Sequence, residues 1–339
     1  MASQPPAGTQ IMFKFLAKRL AIVAPTLVAI SVISFMLIEL PPGDYLTTYT
    51  SALEARGGVV LQEEIENLRQ RYGLDQPLLV RYVRWISGVV LHGDLGYSFQ
   101  FRRPVAAILS ERLPLTILVA LAAILFSWVV ALPMGILSAM KKHSPLDYMV
   151  TFVGFLGLAI PNFLFALLLM YFSARYLGTS VGGLFSAEYQ GAPWSAAKFG
   201  NLLAHLWIPT LIIGTAGTAG LIRELRANLL DELGKPYVEM GRAKGLHPLR
   251  LVLKYPVRIA LNPFVSGIAF LLPAIFSGEA IVAIVLNLPT VGPVLLDSLL
   301  SQDTYLTGAI VMMLALLTVL GVLLSDVLLA ALDPRIRYA

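Results

Sequence analysis

The sequence predicts an all-α integral membrane protein. Three observations carry that prediction. Of its 339 residues, 57% are hydrophobic and only 13% charged, where soluble domains run near 25% charged. The mean hydropathy is +0.77, so most of the chain is unsuited to water. The apolar residues fall in runs long enough to cross a bilayer core about 30 Å thick as helices, each needing roughly 20 residues. Such runs are too long for barrel strands.

Six runs qualify or nearly so: Leu20–Leu40, Leu115–Met140, about Met149–Ala174, a short glycine-rich run Leu206–Ile222, about Pro263–Leu286, and about Leu306–Leu332. The first carries Pro25 near its start. It follows no small-x-small cleavage site and is too long for a signal peptide, so it reads as a retained span. The organisation expected is an N-terminal segment 1–19, a first span 20–40, an external segment 41–114, and a core 115–332. The core includes a cytoplasmic loop 223–262, and a tail 333–339 follows it.

Orientation follows from lysine and arginine in short loops. Lys14, Lys18, Arg19, Lys141, Lys142, the eight basic residues from Arg223 to Arg258, and Arg335 and Arg337 all fall on one side. The segment Pro41–Leu113 has eight arginines balanced by eight acids. Both termini are therefore expected in the cytoplasm. Topology accounts for the net charge of +5, and no nucleic-acid-binding pattern accompanies it. The absence of cysteine removes disulfides, thiolate metal sites and cysteine nucleophiles.

Outside the bilayer, LQEEIENLRQRYGL predicts an amphipathic helix with Leu61, Ile65 and Leu68 on one face and Gly73 as its stop. A second helix is expected from Leu78 to His92, through Tyr82 and Trp85, along the membrane surface. Gly93, Asp94, Leu95, Gly96 and Tyr97 open a stretch dense in glycine and aromatic residues. Two readings of it stand: a turn returning the chain to the bilayer, or a docking or gating element on the external face.

The internal segment is more informative. KPYVEMGRAKG predicts a short helix with Pro236 near its start and Gly245 as its terminator. Pro248 fits the first turn of a second helix carrying Leu249, Val252 and Leu253 at helical spacing. An apolar stripe on a projecting helical hairpin suggests a docked partner.

Chemistry of other kinds is missing. Gly214–Gly220 reads GTAGTAG, but with no preceding strand it fits close helix packing rather than a phosphate loop. His92, His143, His205 and His247 show no metal-ligand spacing, and neither GxSxG nor HExxH occurs. Glu279 and Asp326 fall within predicted spans, where acids are costly and by default functional. Glu279 is the stronger candidate for the transport pathway, and a place at a helix end is its alternative. A self-sufficient secondary transporter would be expected to show inverted repeats or more mid-membrane charge, and a membrane enzyme a catalytic constellation.

The hairpin sequence YVEMGRAKGLHPLRLVLKYPVRIALNP resembles the Glu-Ala-Ala-x-x-x-Gly loop of permease subunits in bacterial ABC importers. Glu239 falls on the motif's glutamate, Gly245 on its glycine and Pro263 on its closing proline. Met240 and Gly241 stand where the motif has alanines. YGLDQPLLVRYVRW, GDLGYSF and the tail LDPRIRY are similar to the branch importing peptides, nickel and related solutes. The resemblance implies six transmembrane helices of the binding-protein-dependent permease type, the first of two such permeases, in the bacterial inner membrane.

By the same resemblance, Glu239, Met240, Gly241, Ala243, Lys244, Gly245 and Leu246 couple the chain to ATPase subunits, and 93–97 belongs to the face that meets a periplasmic solute-binding protein. The partners implied are a second homologous permease, two ATP-binding subunits, that binding protein and the lipid bilayer, with no nucleic acid. The chain itself would be catalytically silent and cofactor-free, ATP and Mg being held by the ATPases. The substrate implied is an oligopeptide or dipeptide. Departures at Ala283, where peptide importers usually have an acid, at Thr290 for a glycine, and at Leu40–Tyr45 keep an oligosaccharide or another small polar solute as the alternative.

Overall fold

The computed structural model describes residues 7–40, 45–47, 50, 55, 66, 75–177, 182–262, 264–267 and 280–332. The helix expected around Leu61–Gly73, most of the fifth span, Glu279, and the tail 333–339 lie outside these residues.

The described chain is predominantly helical. In order come α1 (Ala7–Glu39), α2 (Leu78–Ser87) with a π turn Gly88–His92, a two-residue hairpin β1 (Tyr97–Ser98) and β2 (Arg103–Pro104), and α3 (Val105–Met140). Then follow α4 (Pro145–Ala159), α5 (Asn162–Phe172), α6 (Ala196–Leu233), α7 (Pro236–Ala243), α8 (Pro248–Lys254), α9 (Pro256–Ala260), α10 (Ala280–Val285), α11 (Val291–Leu300) and α12 (Thr304–Leu332).

Three of these are long and apolar enough to cross a membrane, within Val105–Met140, Ala196–Thr215 and Thr304–Leu329. The third expected span is not one straight helix. It divides into α4 and α5, which meet at a bend of 94°. Ile160 takes an extended conformation there, as a residue before proline prefers, and Pro161 opens α5 from its N-cap. Taken as one broken span, the pair makes a fourth crossing. Within α1 the apolar part, Ala21–Met36, is shorter.

The chain forms two compact units: Met1–Leu16, Ile117–Pro289 and Thr318–Ala339 in the first; Ala17–Thr116 and Thr290–Leu317 in the second. In the first unit, of the glycine run on α6 only Gly214 makes the close approach expected; a Cβ on Gly217 would be in ordinary contact and one on Gly220 would meet nothing within 4 Å. A Cβ on Gly214 would collide with the Phe126 ring and crowd the Ala123 carbonyl. The Ser127 hydroxyl donates to the Gly214 carbonyl at 2.8 Å. Gly135 on α3 likewise faces buried Leu225. Below these contacts Ala131, Ala139, Val150, Leu225, Leu229, Val252, Val257 and Phe264 close one core. An apolar cavity of about 190 Å³ lies among α3, α4 and α6, with Phe126, Met134, Val153, Gly157, Thr215 and Thr218 in its wall.

In the second unit, Phe35 of α1 stacks on Trp85 of α2, with ring centroids 5.7 Å apart. Arg81 makes a bidentate ion pair with Glu39 at 2.7 and 2.8 Å, and Glu39 also accepts from Thr304 at 2.8 Å. Asp303 caps α12: it accepts from the Leu306 N–H at 3.3 Å and from the Ser98 hydroxyl at 2.6 Å. Burial pushes the Asp303 carboxyl above its usual range, against the hydrogen bonds that favour its ionised form.

Candidate functional site: the helical hairpin 234–255

The hairpin follows directly from α6. Lys235 is extended and Pro236 occupies the first turn of α7, where its missing N–H has no partner to lose. Glu239 sits in that first turn, a placement the helix dipole favours. The helix stops as its sequence dictates. Gly245 is left-handed, with φ of 75°. Its N–H bonds to the Arg242 carbonyl at 2.9 Å, and the Leu246 N–H bonds to Gly241 at 3.2 Å. These two bonds make a Schellman cap, which satisfies carbonyls that would otherwise be orphaned. No atom lies within 4 Å of where a Cβ on Gly245 would sit, so the glycine is required by conformation and not by space.

Gly241 has the opposite reason. A Cβ there would overlap the end of the Leu251 side chain, and Leu251 is fully buried. The alanine of the resembled motif is thus replaced by glycine where α8 packs tightly under α7. Val238, Gly241, Leu251 and Val252 turn inward, and Val252 joins the core made by α3, α6 and α9. The hairpin is a bolted projection, not a solvated loop.

Of the seven residues the resemblance assigned to coupling, Gly241 is buried and six remain outward. Glu239, Met240, Ala243, Lys244, Gly245 and Leu246 are all exposed, with Met240 at 60%. Leu249 and Leu253, one helical turn apart, are also exposed. The predicted stripe of Leu249, Val252 and Leu253 therefore splits between two faces, Val252 serving the core. Tyr237 donates to Glu232 at 2.6 Å. Burial, then the bond to Glu232, pushes its hydroxyl above the ordinary tyrosine range, so it stays a donor.

A second constellation, not foreseen from sequence, steadies the base of the hairpin. Arg226 on α6 reaches Asp147 at the start of α4 through two bonds, 2.8 and 2.7 Å. The Ser138 hydroxyl also donates to this carboxylate, as does the His143 N–H at 2.9 Å. Asp147 is 2% exposed. Its one local signal was S-P-L-D at 144–147, an N-cap serine whose hydroxyl accepts from the Asp147 N–H. Nothing local pointed to Arg226, 79 residues away.

The stretch 93–97 lies in the other unit. Gly93 and Gly96 are left-handed, the Asp94 carboxylate accepts from the Gly96 N–H at 2.9 Å, and the Leu95 carbonyl accepts from Trp85 at 3.2 Å. A side chain on Gly96 would crowd the Tyr305 ring. Tyr97 is exposed. Among the described residues, no cluster of His, Asp or Glu could hold a metal ion.

The chain belongs to the family described as binding-protein-dependent transport system inner membrane component, whose model matches residues 131–338. A companion model for the N-terminal part of such membrane components matches residues 12–122. It is thus an integral inner-membrane permease subunit of an ABC importer, not an enzyme, and works with separate ATPase and solute-binding components. Among curated proteins it is similar to the oligopeptide transport system permease protein AppB of Bacillus subtilis, 32% identical over 96% of this chain and 100% of that one. It is also similar to the dipeptide transport system permease protein DppB of Escherichia coli, 29% identical over 96% and 99%. The oligopeptide transport system permease protein OppB of Haemophilus influenzae is 28% identical over 96% and 100%.

Proposed function

We propose that this chain forms half of the translocation pathway of an ATP-driven importer of oligopeptides or dipeptides. Full-length similarity to AppB, DppB and OppB favours peptides over oligosaccharides as cargo. The observation that carries the mechanism is the hairpin, with Glu239, Met240, Ala243, Lys244 and Leu246 outward and Val238, Gly241 and Leu251 anchored inward. It seats in a cleft of a partner ATPase. Closure of two ATPases around ATP and Mg then displaces the hairpin, and the buried contacts of Val252 with the α3–α6 core carry that displacement to the spans.

The full reading has six spans, α1, α3, the bent α4–α5 pair, α6, a fifth ending at α10, and α12, with both termini cytoplasmic. The joining of Arg226 to Asp147 supports it, because it puts the end of α3, the start of α4 and the hairpin at one end of the unit. A second permease completes the pathway, and a periplasmic binding protein delivers peptide to the face that includes 93–97. Glu279 faces that pathway. The test is reconstitution of the four membrane-associated subunits with the binding protein in vesicles. Peptide uptake that requires ATP, and fails when Glu239 is replaced while the complex still assembles, is expected. Uptake by this chain alone without ATP would overturn the reading.

A further inference from the structure

Helix α2 and its π turn, residues 78–92, have their polarity inside out. The inner face carries Arg81 and Trp85, both buried. The outer face carries Leu79, Val83, Ile86 and Val90, spaced as one helical stripe, with exposures of 66% at Leu79, 54% at Val83 and 72% at Val90. Leu91 beside them is exposed as well. A helix standing in water turns its charges outward and its apolar residues inward; buried charge with a large exposed apolar face is the informative exception.

The depth of the helix follows from what its inner face touches. Tyr82 shares a hydrogen bond with Ser31 at 2.8 Å, Phe35 packs on Tyr82 and Trp85, and Glu39 holds Arg81. Ser31, Phe35 and Glu39 lie on one face of α1 across its last two turns, about 12 Å of helix axis. Trp85 also lies 3.3 Å from the position a Cβ on Gly308 would take, one turn inside α12, itself of span length. A helix pinned along the last 12 Å of one span and the first turn of another is level with the membrane.

We infer that residues 78–92 lie within the external leaflet, with Leu79, Val83, Ile86 and Val90 against lipid acyl chains. The inference rests on the proposed reading of α1 as a membrane span. The inverted polarity suits this solvent: the Arg81 charge is neutralised inward by Glu39, and the stripe turned to lipid is apolar. Arg84, exposed at the edge of the stripe, is long enough to reach the headgroups. The segment joining the first two spans is therefore embedded in the leaflet over these residues, and the binding protein meets only what stands above it.

The chain contains no cysteine, so single-cysteine variants carry one label each in a complex whose partner subunits are cysteine-free. Val83→Cys and Val90→Cys would be labelled with bimane in vesicles, beside Val28→Cys on the exposed face of α1 and Gln100→Cys in the hairpin turn. Quenching by nitroxide on lipid acyl chains is compared with quenching by aqueous iodide. The ratio at 83 and 90 is expected to match that at 28 and to exceed that at 100 several-fold. A ratio like that at 100 puts the helix in water and overturns the inference. Protection from both quenchers means that a protein covers the stripe, and overturns it equally. If Val28→Cys itself escapes lipid quenching, the reading of α1 as a span fails instead.

Discussion

Replacement of Gly245 separates two reasons for a glycine at the turn. The residue is at φ of 75° with open space around its missing Cβ. An L-residue in that region costs about 1–2 kcal/mol, with asparagine less penalised than alanine and a β-branched residue penalised most. A loss of that size shifts the ratio of capped to uncapped hairpin by a factor of about 5–30. ATP-driven peptide uptake per ATP hydrolysed, measured on the purified complex in vesicles, should fall in the order Gly, Gly245→Asn, Gly245→Ala, Gly245→Val. Steric exclusion predicts the reverse for the middle pair, since asparagine is the larger. Better coupling in Gly245→Ala than in Gly245→Asn, or normal coupling in Gly245→Val, refutes the reasoning.

Further outcomes follow from the packing. Gly241→Ala must displace the buried Leu251 side chain, so it should destabilise the hairpin by about 1 kcal/mol; unchanged resistance of the 234–255 segment to protease would contradict this. Arg226→Met leaves the Asp147 carboxylate buried without its counter-charge. Because the Arg226 side chain is 26% exposed, the low end of the range for a broken buried pair applies, about 3 kcal/mol. Thermal unfolding in detergent should show the double variant with Asp147→Leu to be more stable than Arg226→Met alone. Gly214→Ala overpacks α3 against α6 by about 1–3 kcal/mol, and adding Phe126→Ala should recover part of the loss in the same assay. Glu279→Ala should abolish peptide uptake while leaving ATP hydrolysis by the complex intact; normal uptake would remove Glu279 from the pathway.

The parts of this molecule governed by local chemistry were legible in its sequence. Pro236, Gly245 and Pro248 each specify a backbone state within a few residues, and the hairpin has the helices and the turn they predict. Apolar run length located α3, α6 and α12, although each helix extends past the run that announced it. The break between α4 and α5 was missed because run length ignores interruption, while Pro161 had supplied the stop signal. Leu249, Val252 and Leu253 were read as one face because periodicity does not tell a core contact from a docking contact. The ion pairs of Asp147 with Arg226 and of Glu39 with Arg81, and the bond of Ser98 to Asp303 across 205 positions, join residues far apart in the chain. Tertiary folding alone brings them together, so no window along the sequence reveals them.

The hairpin grows from the end of α6, which runs unbroken for 38 residues, about 57 Å at the α-helical rise. Within it stands Pro209, which cannot donate to the His205 carbonyl and so leaves one rung of the helix unmade. Mechanically this makes α6 a rod with a compliant joint. The portion from Pro209 to Leu233 is about 36 Å long, is stiffened by its packing on α3 and is fastened to α4 by Arg226. Under the coupling proposed above, a push on 234–255 would swing this longer arm as one piece, with residues 196–208 beyond the joint lagging behind. Such an impulse, delivered at one end of the helix, would emerge as an angle partway along it.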